Sequence, residues 1–331
     1  MPTDALRNGE VSGQDQHARA RSRGVPALAY ATGLLAVLVV LFSLGNRHFF
    51  SLYNLNTIAS YAAILLVVGL GQMCTILIGG IDLSVGGLMS LTAVVFVLSL
   101  RIIGYWAYPL CLALGVAVGY VNGTILTRVR IPSFLATLGT GGIMSSLALL
   151  VSPLPVDVPA SHYALLSVVN GSVLHLKNLL LLALLFYAFF HVVLRLTVAG
   201  NHILFVGSNI TMSWMSGIDI VRTRNLAYVL SGLAASLAAI LVSCGQFGGD
   251  PTLGSVYILT SIAAVVVGGT AMTGGAGGPV NTLIGALILS VMENGMNVVG
   301  VNAYFQQSIL GGVTIVSVYL TFDRTKVPVV K

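Results

Sequence analysis

Long stretches without a charged residue are the feature that most restricts what this chain can fold into. Each is long enough for a helix of about 20 residues, which crosses a hydrocarbon core of ~30 Å. Charged residues make up 7% of the 331 residues and apolar residues 56%, whereas soluble domains have about 25% charged residues. The sequence therefore predicts an all-α polytopic membrane protein. The uncharged stretches that fit one crossing are 25–46, 102–127, 131–156, 225–249 and 294–322.

Two further uncharged stretches are too long for one crossing. Residues 251–292 contain a glycine-rich segment that ends at Pro279, and glycine and proline both disfavour a continuous helix. Residues 48–81 are divided at the half-polar segment 51–56, which we place at the membrane interface. The sequence then predicts about ten spans, at residues 26–45, 57–79, 84–100, 104–127, 133–151, 178–196, 225–243, 256–270, 280–299 and 305–322.

The cationic residues indicate the orientation of these spans. With a cytoplasmic N-terminus, twelve Lys and Arg residues fall on the cytoplasmic side, and only Arg47, Arg101 and Lys177 fall outside. Cytoplasmic loops of membrane proteins carry this excess of positive charge. The net charge of +6 therefore reports topology and is not a nucleic-acid-binding signal. Both termini are predicted to be cytoplasmic.

Three regions follow from this pattern. Residues 1–24 are polar without an apolar core and are predicted to be a disordered cytoplasmic segment. Residues 25–323 form the transmembrane domain, and 324–331 form a cytoplasmic tail. Cys74, Cys111 and Cys244 lie in or beside predicted spans without metal-ligand spacing, so we interpret them as packing residues.

The cytoplasmic segment 197–224 contains a short helix bounded by glycines. About two helical turns fit between Gly207 and Gly217. Ser208 or Asn209 can accept hydrogen bonds from the first N–H groups, and Gly217 can end the helix. Such a helix offers a surface that another protein can bind, although an ordinary connector between two spans is the alternative.

Residues 79–86, Gly-Gly-Ile-Asp-Leu-Ser-Val-Gly, resemble a signature of bacterial permeases of the ribose, xylose and galactoside class of ABC importers. Further similar motifs follow in the same order, and together they cover roughly residues 55–323. Residues 119–123 resemble the Gly-x-x-Asn-Gly element, and residues 131–140 resemble the Pro-Phe-x-x-Thr-Leu-Gly-Thr element. The remaining motifs lie at 216–218, 228–233, 262–270 and 285–289.

The resemblance implies a fold of about ten transmembrane helices and import of a sugar or sugar-like molecule by alternating access across the bacterial inner membrane. It also implies three partners: a second permease, cytoplasmic ABC ATPases that hold the ATP and Mg, and a periplasmic sugar-binding protein. No cofactor is expected in this chain. Residues 210–214 lack the acidic and alanine residues usual in the family, so an identical and a paralogous second permease both stay open.

The same resemblance assigns the cytoplasmic segment to coupling with the ATPase. The residues that we expect to take part are Gly207, Ser208, Asn209, Ser216 and Gly217.

Uncharged donors and acceptors suit a path for sugars better than charged groups do. Asp82 follows two glycines and precedes a predicted helix, so helix capping or loop anchoring is the main alternative to substrate contact. Asn294 and Asn297 are one helical turn apart and can instead bond a neighbouring helix. The candidate path residues are Gln72, Asp82, Asn122, Thr137, Asn294 and Asn297.

Enzyme functions receive no support from sequence motifs. The chain has no Gly-x-x-x-x-Gly-Lys-Ser/Thr loop, no His-Glu-x-x-His motif and no Gly-x-Ser-x-Gly elbow. The main rival is a proton-coupled secondary transporter that uses the intramembrane acid Glu293. A channel and a membrane-embedded enzyme are weaker alternatives. The identity of the substrate stays open among pentoses, hexoses, sugar alcohols and sugar-like signals.

Overall fold

The structure is a computed structural model that describes residues 27–173 and 176–321. The predicted segments 1–24 and 324–331 lie outside the described residues. Within the described ranges the chain is almost entirely helical. Its thirteen α-helices are α1 (Ala27–Gly45), α2 (Leu52–Leu77), α3 (Ser84–Ile103), α4 (Ala107–Thr124), α5 (Ser133–Val151), α6 (Ser167–Asn170), α7 (Asn178–Leu196), α8 (Val198–Ser208), α9 (Ile210–Met215), α10 (Ile220–Gln246), α11 (Ser255–Val267), α12 (Pro279–Val299) and α13 (Ala303–Thr321).

Minor elements complete the described chain. Two 3-10 turns lie at Gly104–Trp106 and Ala160–Leu166, and a π-helical turn lies at Ile125–Val129. Two antiparallel pairs of very short strands are present: β1 (Val156–Asp157) pairs with β4 (Gly248–Gly249), and β2 (Ser172–Val173) pairs with β3 (Leu176–Lys177). The register of the first pair places Val156 opposite Gly249 and Asp157 opposite Gly248.

Helices α2 and α10 form the centre of the bundle. Both are buried over most of their length, whereas α1, α5 and α7 are mostly exposed although they are apolar. A Cβ atom on Gly71 of α2 would lie 2.5 Å from the Ala234 Cβ of α10. A Cβ atom on Gly232 of α10 would overlap the Gly115 carbonyl of α4. Small residues of this kind let membrane helices pack closely.

Seven of the described helical stretches are long and apolar enough to cross a membrane. The predicted count of about ten spans is therefore not confirmed. The predicted span at 256–270 corresponds to α11, which has only 13 residues. The seven stretches are Leu28–Gly45, Leu52–Leu77, Ser84–Val129, Ser133–Val151, Asn178–Leu196, Ile220–Gln246 and Pro279–Val299.

The stretch Ser84–Val129 has 46 residues, and the chain folds back within it. Gly104 has a φ of 58° at the end of α3, a conformation that favours glycine. The rings of Phe96 and Tyr108 on the two sides of this turn are 5.0 Å apart. One straight helix would separate residues 12 positions apart by about 18 Å, so α3 and α4 run as two packed helices.

The two predicted breaks had different outcomes. The glycine-rich segment before Pro279 is non-helical between α11 and α12, as predicted. The prediction that residues 51–56 divide two segments at the interface was wrong in detail, because helix α2 already begins at Leu52. The Ser51 hydroxyl accepts a hydrogen bond from the Asn54 N–H at 3.3 Å, and this cap lets the half-polar segment form the first turns of α2.

The close packing of α4 and α10 leads to a stability prediction. We expect Gly232→Val to lower the thermal unfolding midpoint of the detergent-solubilised protein, because the new side chain would overlap the Gly115 backbone. Overpacking of this kind costs roughly 1–3 kcal/mol. Gly33→Val on α1 is the matched control, since a Cβ there has no atom within 4 Å. Equal midpoints for the two variants would contradict the packing role of Gly232.

Candidate functional site

A buried loop interrupts the helical path between α2 and α3. Gly79 has a φ of 76°, which lets the chain leave α2 in a tight turn. The Gly79 N–H donates to the Ile76 carbonyl and the Gly80 N–H to the Thr75 carbonyl, both at 2.9 Å. Non-helical backbone within an apolar bundle needs partners for its polar groups. Residues 78–83 are called the buried loop below.

The Asp82 carboxylate joins the buried loop to two helices. Its Oδ1 accepts from the Ser84 N–H at 3.0 Å and from the Ser84 hydroxyl at 2.6 Å, at the start of α3. Its Oδ2 accepts from the Ser231 hydroxyl of α10 at 2.8 Å. A carboxylate at a helix N-terminus is favoured by the free N–H groups and the helix dipole. The structure thus supports the anchoring alternative for Asp82.

Two further side chains bind the loop backbone, and a third binds the Ser84 hydroxyl at the start of α3. The Gln72 amide on α2 pairs with the Asp82 backbone, donating to its carbonyl at 3.0 Å and accepting from its N–H at 3.2 Å. The Thr137 Oγ1 of α5 accepts from the Leu83 N–H at 3.0 Å. The Asn122 Nδ2 of α4 donates to the Ser84 hydroxyl at 2.7 Å. Four helices therefore hold the loop through side-chain hydrogen bonds.

Four of the six predicted path residues thus meet in one network. Gln72, Asp82, Asn122 and Thr137 are each at most 1% exposed, and their hydrogen bonds point into the bundle. In this conformation they position the buried loop and do not line an open path. Their role in transport stays a prediction.

Three further network members were missed by the sequence reasoning about single residues. Ser231 binds Asp82, the Ser133 hydroxyl accepts from the Ile81 N–H at 3.2 Å, and the Tyr228 hydroxyl lies 3.5 Å from the Ile81 carbonyl. All three lie in the ordered motifs at 131–140 and 228–233. Their motif membership was the available signal, but hydroxyl residues are common in such helices.

Asn294 and Asn297 lie apart from this network. The Asn294 Nδ2 donates to the Asn54 Oδ1 of α2 at 3.0 Å. The Asn297 Oδ1 accepts from the Gln306 amide of α13 at 2.8 Å. These bonds join α12 to α2 and α13, so both residues make the interhelical bonds that were the alternative to a path role.

The predicted coupling segment contains the expected short helix, α9. Asn209, and not Ser208, caps it, since its Oδ1 accepts from the Met212 N–H at 2.9 Å. The Ser216 hydroxyl donates to the Met212 carbonyl at 2.9 Å. Gly217 follows with a φ of 78° and donates its N–H to the Trp214 carbonyl at 3.0 Å. Ser208 is the last residue of α8.

Glycines join the coupling segment to the buried loop. A Cβ on Gly207 would overlap the Leu77 carbonyl at the end of α2. The Gly275 N–H donates to this same carbonyl at 2.9 Å, and a Cβ on Gly275 would lie 2.7 Å from the Ser208 Cα. A Cβ on Gly274 would lie 2.9 Å from the Gly79 N. We call residues 77–79, 207–208 and 274–275 the glycine junction.

The glycine junction brings together three segments that are distant in the sequence. One lies around Gly79, just after α2, and another around Gly274, in the glycine-rich segment between α11 and α12. The third is the predicted coupling segment. At this junction the backbones are in direct contact, without side chains between them, so the ends of α8 and α2 and the 268–278 loop are packed tightly together.

A cleft opens beside the junction. Its volume is about 690 Å³, and Gly79, Gly80 and Ser133 lie in its wall together with Arg130 and Arg224. The exposed side of α9 lies near this end of the molecule, where Met212, Trp214 and Met215 are all exposed. An exposed apolar patch is typical of a protein-binding surface.

The Asp82 network leads to a second stability prediction. We expect Asp82→Ala to destabilise the detergent-solubilised protein by roughly 1–3 kcal/mol, because Ser231 and the first turn of α3 lose a charged acceptor. Asp82→Asn keeps the shape and one acceptor and should lie between the two. Asp219→Ala, whose carboxylate caps α10 but is about half exposed, is the control for removing a capping acid. A smaller loss at Asp82 than at Asp219 would contradict the anchoring role.

Comparison with known proteins identifies the family. The family described as "Branched-chain amino acid transport system / permease component" matches residues 54–318. The ribose import permease protein RbsC of Escherichia coli K12 is 34% identical over 290 residues, which cover 86% of this chain and 90% of the relative. RbsC of Bacillus subtilis 168 is 32% identical over 297 residues, covering 88% and 91%.

A third relative is more distant. The D-allose transport system permease protein AlsC of Escherichia coli K12 is 27% identical over 292 residues, covering 87% of this chain and 89% of the relative. No solved structure matches the chain. A family of permease components also confirms that this chain is not an enzyme. With matches along nearly its whole length, the chain belongs to the family of membrane permease subunits of bacterial ABC sugar importers.

Proposed function

We propose that this chain is the permease subunit of an importer that moves a sugar or sugar-like small molecule across the bacterial inner membrane by alternating access. The observation that carries the proposal is the similarity to ribose import permeases over about nine-tenths of their length. The family description mentions branched-chain amino acids, but the relatives above are named for ribose and D-allose. A polyhydroxylated solute is therefore the expected cargo.

The proposed topology has about ten crossings. The seven apolar stretches supply eight of them, because Ser84–Val129 folds back into two helices. Helices α11 and α13 supply the other two. Both termini would be cytoplasmic. Arg130 and Arg224 share one cleft, and Arg195 donates to the Gly277 carbonyl at 3.3 Å beside the same junction. Arg101 instead contacts the Asp157 carbonyl near strand β4. This separation supports the charge-based orientation.

The proposed partners follow from that orientation. Cytoplasmic ABC ATPases, which bind ATP and Mg, would bind α9 and residues 207–217. A second permease, identical or paralogous, would complete the path, and a periplasmic sugar-binding protein would deliver the solute on the opposite side. ATP-driven movement of α8 and α9 would reach the buried loop through the glycine junction. The direct contacts of Gly207 with Leu77 support this route.

The coupling proposal predicts that the residue at position 217 controls transport. Gly217 has a φ of 78°, and a Cβ on this residue would have no atom within 4 Å, so only backbone strain limits substitution. We expect Gly217→Val to distort the end of α9, since the left-handed conformation costs roughly 1–2 kcal/mol. In proteoliposomes that contain the whole importer, sugar uptake per ATP hydrolysed should fall several-fold.

Gly217→Asn is the matched control for this experiment, because asparagine tolerates the left-handed conformation. It should keep most of the uptake. Unchanged uptake per ATP in Gly217→Val would remove the coupling role from this segment, whereas equal loss in both variants would show that side-chain bulk and not backbone strain matters.

The energy source separates the proposal from the proton-coupled alternative. In cells, uptake of labelled ribose or D-allose by the importer should stop when the partner ATPase is made unable to hydrolyse ATP. It should persist when an uncoupler dissipates the proton gradient while ATP is maintained. The opposite pattern would favour a secondary transporter with Glu293 as its proton site.

A further inference from the structure

A second cavity lies between α2, α11, α12 and α13, away from the buried loop. Its volume is about 410 Å³, within the range of small-molecule sites. Most of its wall is apolar, with Leu65 and Leu289 among the lining residues. Seven polar side chains interrupt this wall. Two are Thr260 and Thr314, and the other five are Tyr61, Tyr257, Ser290, Glu293 and Gln307.

These five side chains lack hydrogen-bond partners within the described chain. The Ser290 hydroxyl is buried, and its residue is 1% exposed, yet its Oγ makes no hydrogen bond. Among residues 27–173 and 176–321, no hydrogen bond or ion pair reaches the Glu293 carboxylate, the Gln307 amide or either phenol. Of the five, Ser290 is buried, Tyr257 and Glu293 are half-buried, and Tyr61 and Gln307 are exposed. Buried polar groups are normally hydrogen-bonded, so the unpaired Ser290 hydroxyl, with four further polar groups around the same cavity, points to a polar occupant.

The neighbouring hydroxyls show that the lack of partners is local. Thr260 donates to the Val256 carbonyl and Thr314 to the Leu310 carbonyl, both at 2.8 Å. These threonines of α11 and α13 line the same cavity, but each already donates its hydroxyl proton to a carbonyl of its own helix. They can still accept a hydrogen bond from an occupant.

A third cavity leads toward this one. It has a volume of about 530 Å³ and shares Tyr61 and Tyr257 with the cavity around Glu293. Its other lining residues include Lys177 and Phe247, which lie at the strand-bearing end of the bundle. The two tyrosines therefore stand between an outer chamber and an inner one.

We propose that the cavity around Glu293 binds an uncharged polyhydroxylated solute inside a single permease subunit, and that the solute enters past Tyr61 and Tyr257. The inference rests on the proposed function, since it assigns a site to the transported solute class. The carboxylate accepts hydrogen bonds from two or more solute hydroxyls, and the Gln307 amide both donates and accepts. The tyrosine rings and Leu65 cover the apolar C–H face of the solute.

Other occupants fit the same wall less well. An acyl chain would contact the leucines but leave the buried Ser290 hydroxyl and the half-buried Glu293 carboxylate without partners, which is costly in an apolar environment. An ammonium compound would pair with the Glu293 carboxylate, but it has fewer groups than a polyol with which to bond the Gln307 amide and the hydroxyls of the wall. The test below includes both occupants as outcomes.

Cysteine accessibility tests the site without knowledge of the natural solute. Thr260→Cys places a reporter in the cavity wall, and a membrane-impermeant methanethiosulfonate reagent should label it in the purified importer. Ribose, D-allose or xylitol should slow this labelling about tenfold, as expected for a site with a charge-assisted hydrogen bond. The unsubstituted chain supplies the background, because Cys74, Cys111 and Cys244 are buried.

Thr127→Cys is the matched control, since Thr127 lines the other cleft near Arg130 and its labelling should not respond to the polyols. Three outcomes would overturn the proposal. They are no labelling of Thr260→Cys above background, labelling that none of the three polyols slows, and protection by ethanolamine hydrochloride or a short-chain lipid alone. Equal slowing at Thr127→Cys would also overturn it by showing a nonspecific effect.

A transport assay distinguishes failure of this inference from failure of the proposed function. Glu293→Leu should raise the sugar concentration for half-maximal ATP-driven uptake about tenfold, since a hydrogen bond to a charged group is lost. Glu293→Gln keeps an acceptor and should have a smaller effect. ATP-driven uptake that neither variant alters, together with absent protection, would overturn the site but leave the importer. Protection without any ATP-driven sugar uptake would retain the site and overturn the importer.

Discussion

The interruption of the helical path after α2 is the constraint on which the rest of the site depends. Residues 78–83 leave the helix inside a bundle of apolar helices, where Gly80 and Asp82 are buried although Gly79 lies in the wall of the cleft. Non-helical backbone at such a place needs partners for its N–H and carbonyl groups. Gln72, Thr137 and Ser133 bind this backbone, and the Asp82 carboxylate closes the network through Ser84 and Ser231. The loop is therefore a rigid part of the core, fixed by four helices.

A rigid loop matters because it is joined to the cytoplasmic segment by backbone contacts. Gly207 lies against the Leu77 carbonyl, and Gly275 donates to the same oxygen. Only glycine permits backbones to approach this closely. The same contacts that pack the structure thus provide a route by which a force on α9 could reach the helix ends around the buried loop.

Polar groups in this protein fall into two classes that differ in their partners. In the Asp82 network most donors and acceptors are used, although the buried Asn122 Oδ1 has no partner among the described residues, and the network suits positioning. The cavity around Glu293 is open, with five side chains on four helices that make no hydrogen bond within residues 27–173 and 176–321, and it suits binding. Asn294 and Asn297 each bond a neighbouring helix and so belong to the first class, although the Asn294 Oδ1 has no partner among the described residues. Polarity alone does not distinguish the classes, because the partner comes from another helix.

The amino-acid sequence by itself determined the membrane class, the positions of most helices, the break before Pro279, the short helix between Gly207 and Gly217, and the family. These depend on local composition, spacing and motif order, which are properties of neighbouring residues. Only the tertiary structure decided that α2 starts at Leu52 and that Asn209 caps α9. It also decided that Gly207 contacts Leu77. The four polar residues that it brought into one network are Gln72, Asp82, Asn122 and Thr137. The physical reason is that hydrogen bonds and backbone contacts between distant segments depend on how the helices pack, and no periodicity along the chain records that arrangement.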